Sequence, residues 1–196
     1  MASIISAGTT SNTALSMNAD TSGTLALQSN GTTKFTIDST GAYGQLQSGG
    51  AVTLSSTSTS LITSIPTWVK RVTLVCNGAA QNSTDYLLVR LNGVTTGYTS
   101  TALVSNSSAA TASATTGMLI FTGIVTNLNF TGSMTLYNQT GNTWVQSHTG
   151  IGTPYSPNSG IYGGGVIALA SALSSISITT FNGTATLSGS ITVLYE

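Results

Sequence analysis

The chain has 196 residues, a formal net charge of zero and only eight charged residues: Lys34, Lys70, Arg71, Arg90, Asp20, Asp38, Asp85 and Glu196. Four scattered cations cannot form the basic stripe that nucleic-acid binding needs, and a hydrophobic content of 40% argues against charge-rich disorder. No apolar run approaches the roughly 18 residues that cross a bilayer, so neither nucleic acid nor membrane insertion is expected.

Residues 1–17 are small and polar, an arm unable to fold alone, and Met1–Thr10 shows no basic or sustained apolar part of a secretory signal. Residues 18–45 contain one hairpin, Leu25–Gln28 and Phe35–Ile37 around Asn30-Gly31, too little for independent stability. A Ser/Thr/Gly stretch, Gly49–Ser60, then leads into a long strand-forming region. The predicted division is an attachment region over 1–48 and a β-sandwich over 49–196.

Period-two alternation dominates that second region. Val72, Leu74 and Cys76 share one face, as do Leu87, Val89 and Leu91, then Ile176 and Ile178, then Ile191, Val193 and Tyr195. Asn-Gly pairs at 77–78, 92–93 and 182–183, and Gly141-Asn142, read as turns; 92–93 and 182–183 sit between alternating runs like hairpin loops. Only Ala168–Leu173 tempts a helix reading, and it lacks caps. About ten to twelve strands are predicted, and the fold class is all-β, a jelly-roll-like antiparallel β-sandwich. A β-prism or a trimeric fibre with strands from three chains is the alternative architecture. Two long loops are expected, Ser105–Thr116 and Gly150–Gly165, the second with two Pro, six Gly and two Tyr.

Catalytic chemistry finds little material. His148 is the single histidine, which excludes a multi-histidine metal site within one chain. It could complete a Ser-His-Asp arrangement only with Asp20, Asp38 or Asp85, and the spacing favours none; the expectation is a solvent-facing histidine at a strand end. The four acids are scattered, against a glycosidase pair. Gly163-Gly164-Gly165 lacks the strand-turn-helix setting of a phosphate loop. Six Asn-x-Ser/Thr sequons are close to the number chance gives in so Ser/Thr-rich a chain. Cys76 alternates with Val72 and Leu74 and reads as a buried thiol, and one cysteine cannot build a disulfide framework. Trp68 reads as the start of a strand, packed on its own sheet. No enzyme, cofactor or metal is expected.

Aromatic side chains are the better candidates, because they give large contact area at small entropic cost. Trp144, Tyr155 and Tyr162, in or beside the 150–165 loop, are the predicted ligand or receptor contacts, suited to an uncharged host-surface glycan. A homotrimer is predicted from Tyr86 and Leu88, which lie opposite the Leu87/Val89/Leu91 face and leave both faces of one strand partly apolar.

Two segments carry a resemblance. Asp20-Thr-Ser-Gly-Thr-Leu-Ala-Leu-Gln-Ser-Asn-Gly-Thr-Thr-Lys-Phe-Thr-Ile-Asp38 resembles the N-terminal repeats of bacteriophage tail-fibre and virion-fibre proteins. Ile65-Pro-Thr-Trp-Val-Lys-Arg-Val-Thr-Leu74 and Gly189-Ser-Ile-Thr-Val-Leu-Tyr-Glu196 look like the start and end of a sandwich domain that closes many phage fibre-like proteins. The resemblance implies a non-enzymatic virion-surface protein, usually trimeric, assembled in the host cytoplasm. Its N-terminal region would bind a capsid or tail protein and its distal domain would face outward. The shortness of the chain and the lack of a repeated shaft favour a head fibre, short tail fibre or decoration protein. The alternatives are a stand-alone carbohydrate-binding sandwich or a depolymerase with a site between subunits.

Overall fold

A computed structural model describes residues 25–29, 31–38, 41–44, 46–55, 59–105, 109–123, 126–153 and 159–196. The arm over 1–17 lies outside them. Two compact units divide between Gln45 and Leu46.

The first unit contains a three-stranded antiparallel meander: β1 (Leu25–Ser29), β2 (Thr32–Asp38) and β3 (Gly41–Gly44). Gly31, at φ +72°, turns β1 into β2. The expected hairpin is therefore extended by a third strand, which pairs Phe35 with Gly44 and Asp38 with Gly41.

The second unit is also all-β and antiparallel. Its strands are β4 (Gln47–Leu54), β5 (Thr59–Thr63), β6 (Arg71–Gln81), β7 (Leu87–Leu91), β8 (Thr99–Ser105) and β9 (Ala110–Ala114). They continue with β10 (Met118–Phe121), β11 (Asn129–Thr140), β12 (Thr143–Thr153), β13 (Ser159–Ala168), β14 (Ser175–Thr180) and β15 (Leu187–Tyr195). An eight-stranded sheet runs β4-β15-β6-β11-β12-β13-β8-β9, and a four-stranded sheet runs β10-β7-β14-β5. Much of the expected connecting stretch 49–60 is strand: β4 pairs with β15 and β5 with β14.

The alternating residues define the core. Val72, Leu74 and Cys76 of β6, Met134 and Leu136 of β11, and Ile191 and Val193 of β15 bury one face of the large sheet. Leu87, Val89 and Leu91 of β7 and Ile176 and Ile178 of β14 join them in one cluster from the small sheet. Full burial of each such side chain is worth about 1.5–3 kcal/mol. Trp68, by contrast, lies in a turn at 50% exposure, and the strand starts only at Arg71.

The other face of β7 is also covered by its own chain. Leu88 is fully buried against Ala102, Ala114 and Leu119, with Tyr86 partly buried beside them. The apolar face offered as the ground for a trimer is thus spent within one subunit.

The Asn-Gly pairs divide by role. Asn92 (φ +52°) and Gly93 (φ +68°) form a left-handed turn, with Val94 N–H donating to Leu91 C=O at 3.0 Å. That turn is no hairpin, because β7 pairs with β10 and β14 while the next strand, β8, joins the large sheet. Asn182-Gly183 likewise carries the chain from β14 in the small sheet to β15 in the large one. Asn77-Gly78 lies inside β6, where the register slips against both β11 and β15: it is a bulge with Gly78 at φ +62°. Gly141 (φ +53°) does close the β11–β12 hairpin.

Candidate functional site

Of the three predicted contact residues, the two that the structure describes, Trp144 and Tyr162, lie on opposite faces of the sheet. Trp144 is 3% exposed on the inner face of β12 and belongs to the core. It also lines a cavity of about 40 Å³ with Lys70, Asn138 and Asn142, room for water rather than a ligand. Tyr162 is 48% exposed on the outer face of β13, paired with Thr149. Thr149 lies five positions along β12 from Trp144, or about 17 Å of strand. Tyr155, with Pro154 and Pro157, lies outside the described residues.

The expected 150–165 loop is mostly strand: β12 runs to Thr153 and β13 starts at Ser159. Two of its glycines accommodate rings. A Cβ on Gly150 would stand 2.5 Å from the Phe130 ring, and one on Gly163 would stand 2.5 Å from His148 Cε1 and 2.3 Å from Thr101 C=O. Side chains at these inner-face positions would collide with the aromatic rings that cover them. The Ser105–Thr116 loop is likewise shortened by β9.

His148 is buried at 5% exposure in the middle of β12, not at a solvent-facing strand end. Its ring meets Phe130 edge-on (centroids 6.0 Å apart, 87°), and its Nδ1 lies 2.7 Å from Gln146 Nε2. Since an amide nitrogen only donates, Nδ1 accepts and the ring is the Nε2–H tautomer. Burial lowers its pKa to about 4, with the Ile120 backbone pulling weakly the other way. Its side-chain partner is an amide, so the arrangement holds a neutral histidine and supplies no acid to orient it as a base.

The outer face of the large sheet has a different character. One transverse row reads Thr192, Val75, Ser133, Thr149, Tyr162 and Leu103; the next reads Leu194, Thr73, Thr135, Ser147, Gly164 and Thr101. Tyr137, Val145 and Val166 form a third. Ser133, Thr135, Ser147 and Thr149 line a shallow depression of about 300 Å³. Among the described residues of this face, the charges are one ion pair at the sheet's end, Arg71 with Glu196, and Arg71 lies 6.0 Å from the Tyr137 ring centroid.

A second concave feature sits where β6 and β14 end. Thr84, Asp85, Tyr86, Phe181 and Asn182 line an open cleft of about 360 Å³. Phe181 is 44% exposed and meets Tyr86 edge-on, with centroids 5.8 Å apart at 62°. Asp85 ties the two segments: Oδ1 accepts from Tyr86 N–H and Oδ2 from Asn182 N–H, both at 2.8 Å. Further bonds run from Phe181 N–H to Tyr86 C=O (3.0 Å), Asn82 N–H to Thr186 C=O (3.1 Å) and Thr186 N–H to Asn82 Oδ1 (2.9 Å). Buried Gln81 holds the first segment from below, its Nε2 donating to Asp85 C=O at 2.8 Å.

The sequence reading missed this cleft. Its halves lie about a hundred residues apart, and the one local signal was Phe181 beside Asn182-Gly183, which reads as a turn. No family model, curated protein or solved structure matches the chain.

Proposed function

We propose that this chain is a non-enzymatic structural protein of a bacteriophage particle, a short fibre or decoration protein. It docks through residues 1–48 and displays a jelly-roll-like sandwich outward as a homotrimer. The observation that carries this reading is the nearly charge-free outer face of the eight-stranded sheet. Copies approaching through such a face meet little electrostatic repulsion, and its small hydroxyls and exposed Val75, Tyr137, Val145 and Val166 suit close contact between subunits. This replaces the second face of β7 as the ground for self-association.

The placement of the chain entry supports display. β4 begins at Gln47, which pairs with Tyr195 next to Glu196, while Leu187 pairs with Gln81 at the opposite end of the sandwich, about 30 Å away along β6. A module held by its N-terminal side therefore has the 82–86 and 181–186 segments at its far end.

Mass photometry at micromolar concentration should give a species of three 19.8 kDa chains. Thr135→Lys together with Ser147→Lys should dissociate it, since the charges would be buried unpaired in the contact. A stable monomer would overturn the trimer. Deleting residues 1–45 should abolish incorporation into particles; unchanged incorporation would overturn docking through that region.

A further inference from the structure

We propose that the cleft formed by Thr84, Asp85, Tyr86, Phe181 and Asn182 binds a ring of a neutral carbohydrate. The biological setting, a displayed tip meeting a host surface, rests on the reading above; the binding itself rests on the cleft. The cleft, about 360 Å³ and open to solvent, lies at the low end of the range of small-ligand sites, about 300–1,000 Å³.

Its chemistry is that of a sugar ring. A pyranose has one apolar C–H face and a rim of hydroxyls that both donate and accept. Phe181 offers an exposed flat ring, fixed edge-on by Tyr86, for the apolar face to cover. The Asp85 carboxylate uses one lone pair on each oxygen for backbone N–H groups. It therefore keeps acceptor capacity for sugar hydroxyls, and a charged acceptor makes the stronger bonds. Thr84 and Asn182 are exposed at the same rim and supply a hydroxyl and an amide that can donate and accept.

Charge selects among sugars. Asp85 is the acidic side chain of the cleft, so sialylated or uronic residues would meet repulsion, as would phosphodiesters. The site is also pre-formed: the bonds between the two segments, with Gln81 beneath, hold the clamp before a ligand arrives, so little ordering cost attaches to binding. Gly123 packs so close under Thr84, with a Cβ there 1.8 Å from Thr84 C=O, that only glycine lets the first segment sit where it does.

The test is saturation-transfer NMR on the full chain with methyl glycosides of glucose, galactose, mannose and N-acetylglucosamine, and with the methyl glycoside of glucuronic acid as the charged comparison. At least one neutral probe should receive transfer on its ring C–H protons, with a Kd on the order of 1 mM, and the glucuronide should receive less. Phe181→Ala should weaken binding at least about tenfold. Phe181→Leu, which keeps apolar bulk without a flat ring, should do the same, and Tyr162→Ala on the outer face should change nothing. Transfer to no neutral probe, undiminished transfer in both Phe181 variants, or loss in Tyr162→Ala would overturn the site. Particle incorporation of the Phe181 variants should match that of the unaltered chain. Failure of incorporation with sugar transfer intact in the unaltered chain would count against the display reading and leave the cleft standing.

Discussion

The two faces of the eight-stranded sheet are made by the same strands and differ in almost every physical respect. On β12 the inward residues Trp144, Gln146 and His148 are buried, and the outward Val145, Ser147 and Thr149 are exposed. The inner face is specified tightly: rings lie over glycines, a neutral histidine accepts from an amide, and core side chains of the small sheet pack against it. The outer face is a repeating field of hydroxyls and short aliphatic chains, with little to distinguish one row from the next. The inner face, then, carries stability, and the outer face and the loop ends are available for contact.

That contrast can be tested by strength. Phe130→Ala, on the inner face, should cost about 3–5 kcal/mol in urea unfolding at any protein concentration, whereas Tyr162→Ala, on the outer face, should cost less and only to the extent that subunits associate, so that its effect vanishes on dilution. Equal costs would erase the distinction. His148 gives the next effect. The unfolded histidine titrates near 6.5 and the folded one near 4, so below pH 6.5 the unfolded chain binds a proton that the folded chain refuses. Stability is full above pH 6.5 and falls as the pH drops towards 4, by about 3 kcal/mol in all. His148→Phe should flatten that part of the profile.

Adjacent glycines sharpen the comparison further. Gly163→Ala drives a methyl into Thr101 C=O and His148 and should cost about 1–3 kcal/mol, read as a lowered Tm. Gly164→Ala, one residue on and facing out, meets nothing nearer than Gln146 C=O at 3.4 Å and should be nearly neutral. The smallest effect is kinetic. Burial pushes the Cys76 thiol up to about 12, so a thiol reagent at pH 8 should label it only as fast as the core opens. Rapid labelling of the native chain would show that face to be less closed than the structure has it.

Much of the fold was legible because strand alternation is a local property. Val72/Leu74/Cys76, Leu87/Val89/Leu91, Ile176/Ile178 and Ile191/Val193/Tyr195 are buried as the period-two pattern predicts, because one face of each strand must leave water. The glycine at 31 and the Gly141-Asn142 turn were likewise readable from backbone preference alone. What the sequence left open was every property set by which strands become neighbours. Composition suggested a loop at 150–165, since glycine weakens a strand on its own; only the rings of Phe130 and His148 lying across the sheet explain glycines within one. His148 looked solvent-facing until its inward parity and its Gln146 partner were known. Leu88 looked like a subunit contact until β8 and β9 folded over it. The Tyr86–Phe181 cleft required two segments far apart in sequence to meet at one end of the sandwich, a juxtaposition decided by sheet order and invisible to any local pattern.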